Sequence, residues 1–165
     1  MASSKQAYRV PEVGEKAPDF TLPDTELKMR SLAEFRGKKV VLAFFPAALS
    51  PVCTREMCTF RDHFDELNKA GAEVIGISID GPFANKQFKE VHNLNFPLLS
   101  DYSREVISRY GIVMEDLLHI KGYRAAKRSV FVLDRDGIVR YRWVSDNPLV
   151  EPDYEEVKSV IKSIP

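Results

Sequence analysis

The sequence has no long hydrophobic run, no excess of charge of either sign and little cysteine. Its longest apolar stretch, Val40 to Leu49, is interrupted by Pro46 and falls well short of the ~18 residues a spanning helix needs. The opening segment, MASSKQAYRVPEVGEK, holds no apolar core of the signal-peptide kind, so the expected setting is cytoplasmic. Lysine and arginine number 24, and so do aspartate and glutamate. That balance argues against a main task of gripping nucleic acid or an anionic membrane. Two cysteines in 165 residues suit chemistry in a reducing compartment better than structural crosslinking. Repeats and low-complexity tracts are lacking too, and 44% apolar with 29% charged residues excludes disorder. The length fits one domain over 1–165, with a polar, loose arm at 1–12.

What is present reads as alternating strands and helices. Ala17 to Leu22 and Glu26 to Met29, joined through Pro23–Asp24, suggest a small hairpin, and Ser31 precedes a short helix stopped by Gly37. Val40 to Phe45 is an unbroken apolar run, as in a central strand covered on both faces. Ser50 and Pro51 open a helix expected to reach Lys69, and Glu73 to Ile79 is a second buried strand. Pro82 to Val91 and Tyr102 to Tyr110 read as helices around a short extended piece, Phe96 to Leu99. Val130 to Leu133 and Ile138 to Trp143 flank the hairpin signal Arg135–Asp136–Gly137, and Tyr154 to Ile161 is an amphipathic closing helix. Long crossovers imply parallel pairing and the late hairpin is antiparallel. The expectation is an α/β chain with a mixed central sheet, helices on both faces and an N-terminal β-hairpin extension. This is the layout of the thioredoxin-like fold.

The chemistry concentrates where the central strand turns into the long helix, at Pro46-Ala-Ala-Leu-Ser50-Pro-Val-Cys53. Ser50 suits an N-cap and Pro51 the first helical position, which places Cys53 in the first turn. A sulfur there meets unpaired backbone N–H groups and the positive end of the helix dipole, and both favour the thiolate. At ~100° per residue, Cys53, Met57, Phe60, Phe64 and Leu67 share one core-facing stripe. Glu56 stands about 60° from that stripe, one turn on. A carboxylate so close works against a thiolate, so the arrangement calls for a cation from elsewhere. Cys58 lies about 140° from Cys53 on the same wheel, off the apolar stripe, and reactivity suits it better than burial. In an intact helix the two Cα atoms are ~8.7 Å apart. A disulfide between them requires the helix start to unwind.

Other readings fail on geometry or lack support. Cys53, Cys58 and His63 recur every five residues, but successive side chains rotate about 140° and do not converge on one metal ion. His92 and His119 come with no motif that would make a cysteine peptidase. Lys121, Arg124, Lys127 and Arg128 read as a solvated loop face, from which one member, just before a buried strand, is placed to reach the sheet edge.

The segment PAALSPVC resembles the active-site pattern Pro-x-x-x-(Thr/Ser)-x-x-Cys of the peroxiredoxins. The likeness extends over nearly the whole chain, through GEKAPDFTL, FFPAALSPVCTREMCTFRD, FPLLSD and KRSVFVLDRDGIVRY. It is similar to the single-domain branch that includes the bacterioferritin-comigratory (peroxiredoxin Q) and AhpE-type proteins. The resemblance implies a thiol-dependent peroxidase for hydrogen peroxide and organic hydroperoxides, with no bound cofactor or metal. It implies that Cys53 attacks the peroxide and becomes a sulfenic acid. Ser50 directs a hydroxyl hydrogen to the peroxide, and its oxygen is free to accept the helix-capping bond as well. Pro46 walls the pocket, Arg128 holds the thiolate and the developing oxyanion, and Glu56 orients that arginine.

Two features depart from the commonest pattern. Ser50 stands where Thr is more usual, losing the β-branch that fixes χ1. The Cys53-x4-Cys58 spacing is like the peroxiredoxin Q branch, where the second cysteine resolves the sulfenate within one chain, while SDNPLVEPDYEEV is closer to the AhpE type, some members of which work with one cysteine. The alternative is therefore a one-cysteine cycle with an external thiol. No late cysteine exists for a disulfide to a C-terminal residue of another subunit. The implied partners are a hydroperoxide and a thioredoxin-like reductant protein, with the chain a monomer or homodimer. A dithiol–disulfide oxidoreductase would place its cysteines as Cys-x-x-Cys. A redox sensor triggered by Cys53 alone would leave Pro46, Ser50 and Arg128 without a task.

Overall fold

A computed structural model describes residues 8–165. Strands β1 (Thr21–Pro23) and β2 (Met29–Ser31) form the N-terminal hairpin, with Leu22 opposite Arg30. Its turn is longer than Pro23–Asp24. The Asp24 Oδ1 accepts the N–H groups of Glu26 (2.8 Å) and Lys28 (3.0 Å), so the chain wraps around one carboxylate. The central strand β3 (Lys39–Phe44) leads into helix α1 (Pro51–Asp62), then α2 (Phe64–Lys69) and strand β4 (Ala72–Ser78). Helix α3 (Pro82–Val91), strand β5 (Leu98–Ser100) and helix α4 (Glu105–Arg109) follow. After a two-residue pair, β6 (Val113–Met114) with β7 (Ala125–Ala126), come β8 (Ser129–Leu133), β9 (Val139–Val144) and helix α5 (Tyr154–Ser163).

The main sheet runs β5-β4-β3-β8-β9, with β3 parallel to β4 and antiparallel to β8. Period-two alternation along β3 divides the core. Val40, Leu42 and Phe44 pack with Phe20, Tyr110 and Phe131 on one face. Val41, Ala43 and Phe45 meet Cys53, Met57 and Phe88 on the other. Every residue of β3 is buried, which is why its sequence from Val40 to Phe44 is continuous apolar rather than alternating.

Other parts of the fold also differ from expectation. The long helix divides at His63 (φ −94°, ψ 2°), although Thr59 and His63 still accept the N–H groups of His63 and Leu67. The apolar stripe continues across that residue, so periodicity alone does not reveal the division. Helix α4 starts at Glu105 rather than Tyr102, because Arg104 is left-handed (φ 64°) and the Asp101 carboxylate caps the first turn. The β6–β7 pair is an addition, since two residues per strand carry no periodic signal. Of the arm expected at 1–12, residues 1–7 lie outside the described residues. Beyond them Pro11 is buried and Val10 packs on the core, so that part is held. Among the described residues, no helix is long and apolar enough to cross a membrane.

Candidate active site

Strand register places the cation that the helix demands. Phe44 pairs with Ser129, so Arg128, one residue earlier on the antiparallel neighbour, stands beside Phe45 and Pro46, where β3 ends. The β9 side holds it there, since Ser145 N–H donates to the Arg128 carbonyl (3.0 Å). Arg128 is the largest fully buried side chain of the described residues, at 1% exposure, whereas Arg124 and Lys127 form outward ion pairs with Glu115 and Asp146.

Ser50 is the N-cap residue of α1 in extended backbone (φ −71°, ψ 152°), and Pro51 opens the helix. Its side chain does not cap, contrary to expectation. The hydroxyl donates to the Ala47 carbonyl at 2.8 Å, in the tight turn before the helix. The first-turn N–H groups thus take no cap from the Ser50 side chain, and Cys53 is the third residue of that turn. Leu49, between Ala47 and Ser50, is held left-handed (φ 66°), a strained state for a leucine.

Three groups converge on the Arg128 guanidinium. Its Nη2 donates to Cys53 Sγ (3.3 Å) and to the Pro148 carbonyl (2.7 Å), and its Nη1 donates to Glu56 Oε1 (2.9 Å). Cys53 and Glu56 are both fully buried. Desolvation opposes the charge on Arg128, but the Glu56 carboxylate and the Cys53 sulfur outweigh it and move its pKa up. Burial pushes the Glu56 carboxyl up to about 7 against the pull of Arg128, with Glu151 adding to the rise. Glu56 Oε2 and Arg128 Nε have no hydrogen-bond partner. One cation therefore serves two acidic groups, and neutralising Glu56 leaves it to the sulfur alone.

Above the sulfur is a cavity of about 120 Å³, lined by Pro46, Ser50, Cys53 and Arg128 with Leu117, Leu118, Pro148 and Leu149. Leu118 and Leu149, 59% and 64% exposed, stand at its mouth. Five of the six residues singled out by the sequence thus come together around one sulfur. Cys58 does not: it sits partly exposed on the same unbroken helix, away from the cavity, and both cysteines are free. The Pro148 carbonyl, Leu117 and Leu118 escaped sequence reasoning. A backbone carbonyl has no residue signature, and the leucines reach the site from a loop with irregular backbone (Leu118 φ 54°). No group of acidic, histidine or cysteine side chains among the described residues is arranged to hold a metal ion.

Residues 13–142 match the model of the AhpC/TSA family. A protein named putative peroxiredoxin bcp from Coxiella burnetii is 44% identical over 132 residues, covering 80% of this chain and 87% of that one. Peroxiredoxin Bcp of Escherichia coli K12 is 39% identical over 130 residues, covering 79% and 83%. The crystal structure of peroxidoxin BcpB from Mycobacterium tuberculosis superposes with a TM-score of 0.83 at 32% identity, covering 94% of this chain and 99% of that one.

Proposed function

Because the chain belongs to the AhpC/TSA family, with peroxiredoxins among its relatives, we propose that it is a thiol-dependent peroxidase acting through Cys53. The observation that carries this reading is the buried Cys53 sulfur 3.3 Å from Arg128 Nη2, at the base of a cavity with a largely apolar wall. The thiolate attacks the terminal peroxide oxygen, an S–O bond forms and the O–O bond breaks. Cys53 becomes a sulfenic acid, and the departing oxygen takes a proton to leave as water or an alcohol. Arg128 stabilises charge as it moves from sulfur to oxygen, at a site shielded from water. Ser50 turns its hydroxyl from Ala47 toward the peroxide, Pro46 excludes water, and Glu56 orients the guanidinium. The leucines at the mouth suit organic hydroperoxides beside hydrogen peroxide.

Recycling in this reading proceeds through Cys58. Its thiol displaces water from the sulfenate, the two sulfurs join, and a thioredoxin-like dithiol protein reduces the disulfide. Both cysteines lie in α1, so closure requires the first turns to unwind. Two free thiols suit a cytoplasmic, reducing setting. Intact mass after one equivalent of hydrogen peroxide, without reductant, tests the cycle. Loss of two hydrogens is expected. Gain of one or two oxygens overturns the role of Cys58 in favour of a one-cysteine cycle with an external thiol. An unchanged mass with peroxide unconsumed overturns the peroxidase itself.

A further inference from the structure

The Ala47–Ala48 peptide carries a bond at each end. Its carbonyl accepts the Ser50 hydroxyl (2.8 Å), and its N–H donates to Asp80 Oδ2 (2.8 Å). Asp80 follows β4 and lies 32 positions along the chain from the loop it holds. A peptide unit is planar and stiff, so gripping its N–H also fixes the direction of its carbonyl.

Asp80 is itself held from below. Its N–H donates to Ser78 Oγ (3.2 Å), Ser78 donates to Asn85 Oδ1 (3.2 Å), and Asn85 Nδ2 reaches Ser100 Oγ (3.1 Å) and the Asp80 carbonyl (3.4 Å). Ser78, Asn85 and Ser100 are fully buried, which joins β4, α3 and β5 in one satisfied polar cluster. Such a cluster is rigid when every member is paired. Nothing in the chemistry at Cys53 uses it directly, yet its one outward arm ends on the loop carrying Ser50.

We propose that Asp80 is a positioning residue that, through the Ala47–Ala48 peptide, sets the resting place of the Ser50 Oγ from which its O–H swings to the peroxide. The inference rests on the peroxidase reading and gives it a determinant that side-chain contacts at the sulfur do not reveal. Serine has no β-branch to fix χ1, so where its Oγ rests before peroxide arrives depends on an external partner. The Ala47 carbonyl is that partner, and Asp80 holds it in place. With threonine at position 50, the side chain would restrict its own χ1, and the grip of Asp80 would matter less.

The test is a double-mutant cycle on the full chain, read as single-turnover consumption of hydrogen peroxide, which reports the first step however the sulfenate is resolved. Asp80→Ala is expected to lower the rate about tenfold, and Asp80→Asn, which keeps an acceptor oxygen, less than about threefold, as for loss and retention of one hydrogen bond. Combined with Ser50→Thr, Asp80→Ala is expected to cost less than about threefold, because the interaction between the sites is then removed. Alkylation of Cys53 by iodoacetamide, which needs no aimed hydroxyl, should be unaffected by Asp80→Ala. Asp80→Leu, which preserves bulk, repeats the measurement if the alanine variant folds poorly. Equal losses in the serine and threonine backgrounds, or a parallel fall in alkylation, would make Asp80 a general support of the loop and overturn the proposal. No loss in any background overturns it too. A wild type that consumes peroxide no faster than free cysteine overturns the peroxidase reading and this inference with it.

Discussion

Two carboxylates are fully buried among the described residues, Asp101 and Glu56, and their oxygens are partnered differently. Both oxygens of Asp101 are engaged by backbone, accepting from Val106 N–H (3.2 Å) and Ile107 N–H (2.8 Å) at the start of α4. Burial raises its carboxyl, and those two N–H bonds offset only part of the rise. Glu56 has one oxygen on Arg128 and the other on nothing, and burial pushes it up to about 7. Burial alone does not mark a functional carboxylate; incomplete satisfaction beside a shared cation does. Fully paired polar groups specify structure, whereas an underpaired one leaves a charge state open near neutral pH.

The contrast breaks most visibly at the shared cation. Arg128→Ala should lower the peroxide rate about 10²- to 10³-fold, as when an oxyanion donor is removed. It should also destabilise the fold by about 3–5 kcal/mol, because a buried carboxylate loses its partner. Peroxide kinetics with denaturant unfolding checks both, and an unchanged rate would remove Arg128 from the mechanism.

Glu56→Gln sharpens the contrast through pH. The folded pKa of Glu56 lies above its ordinary value of 4.5, at about 7. Its contribution to stability is therefore whole below about 4.5 and is lost as pH rises through about 7. Relative to Glu56→Gln, the wild type should lose up to about 3 kcal/mol between acid and mildly alkaline pH. Urea unfolding across that range measures the difference, and a pH-independent difference would contradict the burial argument.

Asp101→Ala supplies the other half. Removing this cap should cost about 2 kcal/mol of stability while leaving the peroxide rate per folded molecule unchanged. A rate that falls with the unfolding midpoint held would show that the two carboxylates are not separable. The smallest effect is expected from Ser50→Thr. With χ1 restricted, the peroxide rate should change by less than about threefold, upward. Competition kinetics against a reference peroxidase resolves a change of that size.

The legibility of these features follows their locality. Pro46, Ser50 and Cys53 sit in one eight-residue segment, so a strand-to-helix junction and a short pattern were enough to single them out. Glu56 followed from helical spacing, and its closeness to a sulfur created the need for a cation. Arg128 was reachable because it directly precedes a buried strand. The sheet order behind these inferences was carried by continuous apolar runs such as Val40–Phe45. What stayed hidden depends on partners with no sequence mark. The Ser50 hydroxyl donates to the Ala47 carbonyl, the Pro148 carbonyl accepts from Arg128, and Asp80 accepts a backbone N–H. The division at His63 was masked by the apolar stripe that runs through it.

The central claim is that Arg128 and the first turn of α1 make one of two cysteines on the same helix reactive toward peroxide. It is tested most directly by quenching the reduced protein at short times with hydrogen peroxide and measuring oxidation at each cysteine by peptide mass. Cys53 should be oxidised first, faster than Cys58 by on the order of 10²-fold or more, with the advantage lost in Arg128→Ala. Equal rates at Cys53 and Cys58, or a Cys53 rate indifferent to Arg128, would contradict it.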